Sequence, residues 1–151
     1  MLGSNKSGNS YGKFLKTNSL LILACLVASL WAWQQEPVFA QNNLIFSLNN
    51  LEKGKVWTLV AALFVHASVF HLFGNLLFLF VFGNTLEKTV GARKLLMIFF
   101  TGGFTSFILG VVYLPRGTGM LGASAAIFAL AGASCWSGRS SSPGFSSRRK
   151  D

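Results

Sequence analysis

From Leu95 to Leu114 the chain carries no charged side chain. A run of about 20 such residues is long enough to cross the hydrocarbon core of a bilayer. In lipid every backbone N–H and C=O must find a partner inside the protein, and a helix does this within its own segment. Three further apolar stretches accompany it: residues 18–35, 70–90 and 121–136. The first ends in Trp31 and Trp33, aromatics suited to the membrane interface. Composition agrees, with 52% hydrophobic and 11% charged residues and a mean hydropathy of +0.52, where a soluble domain carries about 25% charged residues. The expectation is an all-α, multi-pass membrane protein of one domain.

The net charge of +9 would suit nucleic acid if it were gathered on one surface. It is not. Lys6, Lys13 and Lys16 precede the first apolar stretch, and Lys88, Arg93 and Lys94 lie between the second and third. Arg139, Arg148, Arg149 and Lys150 follow the last. Only Lys53, Lys55 and Arg116 fall on the alternate connections. That asymmetry is the positive-inside pattern with a cytoplasmic N-terminus, so the bilayer accounts for the charge and a nucleic-acid partner is not expected.

Residues 1–17 are polar and rich in Gly, Ser and Lys, which reads as a disordered cytoplasmic segment. The first apolar stretch resembles a cleavable signal as well, with a basic start and Val38-Phe39-Ala40 beyond it; Glu36 and Pro37 intervene, which favours an uncleaved span. Residues 34–55 form a polar loop. Val56–Val69 is apolar but interrupted by His66 and Ser68, as an interfacial or re-entrant segment would be. After Trp136 the apolar character ends abruptly, and residues 137–151 read as a disordered or aberrant tail, such as a lost reading frame would produce. Cys25 and Cys135 both lie in apolar stretches, where they act as small hydrophobes. No disulfide framework or metal spacing is evident.

Polar side chains at bilayer depth cost about 2.5–3.5 kcal/mol each unless partnered, so those that occur need a reason. His71 and Asn75 are four apart and share one face of the second span; they are either hydrogen-bonded glue between helices or part of a site. With His66 and His71 as the only histidines, and no carboxylate near them in sequence, no metal is expected. Gly122-Ala123-Ser124 enters the fourth helix, where a serine is either an N-cap or a nucleophile beside oxyanion-stabilising amides. Glu87, next to Lys88 and four residues before Gly91, reads as a solvated helix end.

Taken in order, Trp57, His66-x-x-x-x-His71-x-x-x-Asn75, Gly83-x-x-x-Glu87-x-x-x-Gly91 and Gly122-x-Ser124 resemble the rhomboid family of intramembrane serine proteases, over about half the chain from Trp57 to Ala133. The resemblance implies a rhomboid-like bundle of six core transmembrane helices, of which about four are present here, within residues 18–136. It implies Ser124 as nucleophile, with His71, Asn75 and Gly122 at the oxyanion site. Trp57, His66, Glu87 and Gly91 take structural positions. It also implies single-pass transmembrane proteins as substrates, with no metal or organic cofactor.

The sequence departs from the family in two places. Ala125 follows Ser124 where glycine is common, which keeps a small residue. The family's general base is a histidine on the sixth span, and no histidine follows His71. A serine without a base is a weak nucleophile. Two functions are therefore expected: a rhomboid serine endopeptidase, inactive in this form, or a non-catalytic relative that binds transmembrane helices. A channel or transporter would call for more polar groups inside the spans.

Overall fold

A computed structural model describes residues 16–140. Among them it is helical without strands: α1 (Lys16–Ala32), α2 (Pro37–Asn43), α3 (Leu48–Glu52), α4 (Thr58–Phe64), α5 (Val69–Phe78), a π-helical turn (Leu79–Gly83), α6 (Asn84–Val90), α7 (Ala92–Tyr113) and α8 (Ser124–Ser140). The N-terminal segment up to residue 15 and residues 141–151 of the tail lie outside the described residues. The chain is thus an all-α bundle, as its apolar runs require.

Two continuous helices have the length and composition of membrane spans, Val69–Val90 and Ala92–Tyr113, each of 22 residues with mean hydropathies of 1.6 and 2.1. At 1.5 Å per residue each reaches about 33 Å, slightly more than the hydrocarbon thickness of about 30 Å. Their outward faces are apolar, with Phe70, Phe73, Val112 and Phe128 of α8 well exposed. Since lipid is as apolar as leucine, helix association here rests on close packing and hydrogen bonds. The buried centre is Leu63, Leu79, Leu86, Leu95, Phe99 and Leu130. Small residues allow the approach: a Cβ on Gly102 would run into Ala129 of α8, and one on Gly103 into Leu63 of α4.

The polar stretch between α1 and α5 is more ordered than a loop. Pro37 opens α2, its missing N–H costing nothing in a first turn. Ser47 caps α3, its Oγ accepting the Asn50 amide at 3.2 Å. Asn50 donates its side-chain amide to the Gln41 and Ile45 carbonyls, 2.9 Å each, and so closes the segment on itself. Phe46 and Met120 exchange backbone hydrogen bonds at 3.1 and 2.8 Å, while the Phe46 ring stacks on Phe107 of α7 with centroids 5.2 Å apart. That bridge ties the α2–α3 segment to the loop entering α8.

At the opposite end α1 lacks an acidic residue in its own first turn. Glu87 of α6 supplies one: its carboxylate accepts the Thr17 amide at 3.2 Å and the Asn18 amide at 2.9 Å. Orphan first-turn N–H groups and the positive helix end are both satisfied. Glu87 is 1% exposed, so it is not a solvated helix end. Asn18 in turn donates to the Leu79 carbonyl and to Asn84 Oδ1, both at 3.0 Å. A Cβ on Gly83 would overlap the Asn18 amide, so only glycine fits there. Gly91, at φ +87°, then reverses the chain into α7.

Candidate functional site

α4 ends at Phe64, and the chain passes through Val65–Ser68 into α5, capped by Ser68 Oγ accepting the His71 amide at 3.2 Å. His66 in that connection is almost fully buried. Its Nδ1 lies 3.0 Å from Ser29 Oγ of α1 and 3.2 Å from the Phe64 carbonyl. Trp33 Nε1 donates to the His66 carbonyl at 2.8 Å. Burial pushes the imidazole down to about 4 from the ordinary 6.5, and neighbouring His71 adds to the shift. His66 is therefore neutral at pH 7.

The loop before α8 is held by these groups. Gly122 N–H donates to the Ala62 carbonyl of α4 at 2.7 Å, and Ala123 N–H donates to His66 Nε2 at 3.4 Å. Gly122 has φ +102°, a conformation that favours glycine. It is also crowded: a Cβ there would stand 2.7 Å from His71 Cε1 and 3.0 Å from Nε2. The His66 and His71 rings meet edge to face, centroids 5.2 Å apart.

Ser124 is the first residue of α8, immediately after this turn. It lines a cavity of about 410 Å³ together with His71, Asn75, Phe78, Phe82 and Phe128. A second cavity of about 420 Å³, on the side of Tyr113, Met120 and Gly122, also reaches Ser124. Asn75, one helical turn beyond His71, is 7% exposed, and its Nδ2 is a buried donor without a partner. An unpaired buried donor costs about 1–3 kcal/mol, which is tolerated where a ligand supplies the acceptor. The cavity thus offers a hydroxyl, an imidazole and a free amide N–H beside the positive end of α8.

Of the residues singled out in the sequence, His66, His71, Asn75, Gly122 and Ser124 converge here. Glu87 and Gly91 do not; they sit where α6 meets α1 and α7. Trp57 opens α4 and is half exposed beside Val56 and Val60. Among the described residues no group of His, Cys, Asp or Glu could hold a metal. Sequence reading missed Ser29, Trp33, Asn18 and the Phe46–Met120 bridge. Ser29 and Asn18 did carry a signal, being polar residues in an apolar span.

Residues 53–148 match the Rhomboid domain family. RHOMBOID-like protein 12, mitochondrial, of Arabidopsis thaliana is 27% identical over 131 residues, which cover 73% of this chain and 39% of that protein. Rhomboid-like protease 2 of Toxoplasma gondii is 35% identical over 79 residues, 52% of this chain and 28% of that protein. Rhomboid protease GluP of Bacillus subtilis (strain 168) is 32% identical over 83 residues, 55% and 16% of the two chains. The chain spans well under half the length of these curated relatives. With the family matched over most of its length and two helices fit to cross a bilayer, this chain is a membrane protein of the Rhomboid family.

Proposed function

We propose that this chain carries the nucleophile and oxyanion elements of an intramembrane serine endopeptidase that acts on transmembrane helices of other membrane proteins. The observation that carries the reading is the shared cavity: Ser124 and the unpartnered Asn75 Nδ2 both line it. Ser124 Oγ attacks the substrate carbonyl and gives its proton to a base. The developing oxyanion takes the Asn75 N–H, with His71 and the first-turn amides of α8 beside it. The cleaved amine then receives the proton, and water releases the acyl group from Ser124. The sites need no cofactor. The distribution of basic residues supports a multi-pass arrangement with the N-terminus in the cytoplasm.

Neither histidine among these 151 residues is free to act as the base. Both histidines of the chain, His66 and His71, stand against the Gly122–Ala123 turn. His66 Nε2 is occupied by the Ala123 amide, and His71 belongs to the oxyanion side. These 151 residues by themselves are therefore expected not to cleave. The aromatic lining of the cavity, with Phe70, Phe78, Phe82 and Phe128, also suits a second reading, a non-catalytic relative that binds transmembrane helices.

One experiment separates the two. The chain is reconstituted in proteoliposomes with a single-pass substrate, with and without added imidazole as a diffusible base. Imidazole-dependent cleavage that disappears in Ser124→Ala supports the endopeptidase. Stable association with the substrate helix and no cleavage at any imidazole concentration supports the binding protein. Cleavage without imidazole that survives Ser124→Ala refutes both.

A further inference from the structure

The Gly122–Ser124 turn must present some backbone amides to the cavity and turn others away, and the structure shows what decides this for Ala123. Its N–H points at His66 Nε2, 3.4 Å away. To accept, Nε2 must be unprotonated, so the neutral ring carries its proton on Nδ1. Nδ1–H then has two acceptors in reach, Ser29 Oγ at 3.0 Å and the Phe64 carbonyl at 3.2 Å. Ser29 can accept there because its own hydroxyl proton is used elsewhere: Oγ donates to the Phe64 carbonyl at 3.1 Å, at the open C-terminal end of α4. The Ala123 N–H, the His66 Nδ1–H and the Ser29 O–H thus each have an acceptor, and for Nδ1–H the nearer of its two is Ser29 Oγ.

Ser29 is fully buried within an apolar helix, where a hydroxyl without partners is costly. A serine inside a helix ordinarily bonds the carbonyl one turn back. Here it reaches out of α1 instead. The groups around the His66 ring are Ser29 from α1, the Phe64 carbonyl from α4, His71 from α5 and the Ala123 amide from the α7–α8 loop. His71 is the single titratable one among them.

We infer that Ser29 is a positioning residue for the Gly122–Ser124 turn: as the nearer of two acceptors for His66 Nδ1–H, with the Phe64 carbonyl beside it, it favours the tautomer in which Nε2 accepts the Ala123 amide and holds it away from the cavity. The amides that remain are those of the first turn of α8. Ser29 touches no substrate and acts through His66 alone. The significance for catalysis rests on the endopeptidase reading above, but the hydrogen-bond chain is tested without any cleavage.

The test is solution NMR on the whole chain in detergent, with 15N-labelled histidine and backbone. In the parent protein His66 should show the neutral Nδ1–H pattern of imidazole 15N shifts at pH 7, and the Ala123 amide should be protected from exchange. Ser29→Ala leaves Nδ1–H with the longer Phe64 contact alone and should mix the tautomers and speed Ala123 exchange by up to about tenfold, the worth of one hydrogen bond. Ser29→Thr, which keeps a hydroxyl, should restore both. If Ser29→Ala does not fold, Ser29→Cys fills the same space with a weak hydrogen-bonding group and should give the same two changes. Unchanged His66 shifts and Ala123 exchange in Ser29→Ala or Ser29→Cys overturn the inference. So does equal disturbance by Ser29→Thr, because the effect would then be one of packing.

Discussion

The Glu87 carboxylate, buried on α6, accepts the backbone amide of Asn18 at 2.9 Å, so that the first turn of α1 is capped by a residue 69 positions away. A cap of this kind fastens two helices at the same time as it satisfies one of them. It explains why a carboxylate lies buried at the end of an otherwise apolar span.

Replacing that carboxylate should be costly in proportion to what is lost. Glu87→Ala leaves the Thr17 and Asn18 amides without their acceptor and should destabilise the chain by about 1.5–3 kcal/mol, the range for hydrogen bonds to a charged group. Glu87→Gln keeps one acceptor oxygen and should cost about half as much. Thermal unfolding in detergent, followed by circular dichroism, ranks the two. Equal stability of Glu87→Ala and the parent would show that the cap contributes nothing.

Asn75 should behave in the opposite way. Asn75→Ala removes a buried donor that has no partner in the resting protein, so stability should change by less than about 1 kcal/mol. Imidazole-supported cleavage should fall about 10²–10³-fold, as when an oxyanion donor is deleted. A loss of stability as large as that of Glu87→Ala would make Asn75 a structural residue instead.

Gly122 should tolerate no side chain. Its φ of +102° and the His71 ring 2.7 Å from a would-be Cβ act together. Gly122→Ala should cost about 1–3 kcal/mol in backbone strain alone, and should move the His71 imidazole resonances. An unmoved His71 spectrum with parental stability would mean that the turn is looser than this geometry.

Acid should weaken the fold through His66. Its imidazole is held near 4 in the folded chain against about 6.5 when unfolded. The unfolded chain therefore binds the proton first, and the contribution of neutral His66 is whole above pH 6.5 and lost as pH falls toward 4. Unfolding temperature measured from pH 7.5 to 4 should decline across that window. In His66→Gln the decline should be shallower, from a lower starting point.

Sequence alone determined the long apolar helices, though not α2 and α3, and much of the site's vocabulary. Apolar runs of bilayer length can fold in lipid only with their backbone bonds satisfied internally, so the two helices long enough to cross a bilayer followed from composition. The four-residue spacing of His71 and Asn75 placed both on one face of a helix by geometry alone. Gly122 and Ser124 stood at a helix start, where positive φ and free amides are local properties. What tertiary structure decided was partnership. Glu87 could have been a solvated helix end, and only its approach to Thr17 and Asn18, 70 and 69 positions distant, made it a cap. Ser29 was a polar residue in an apolar run with no partner near it in sequence, and only the approach of α1 set it against His66, 37 positions on. Hydrogen-bond partners across such separations depend on how helices cross, and helix crossing is set by the packing of whole faces, which no local pattern of residues encodes.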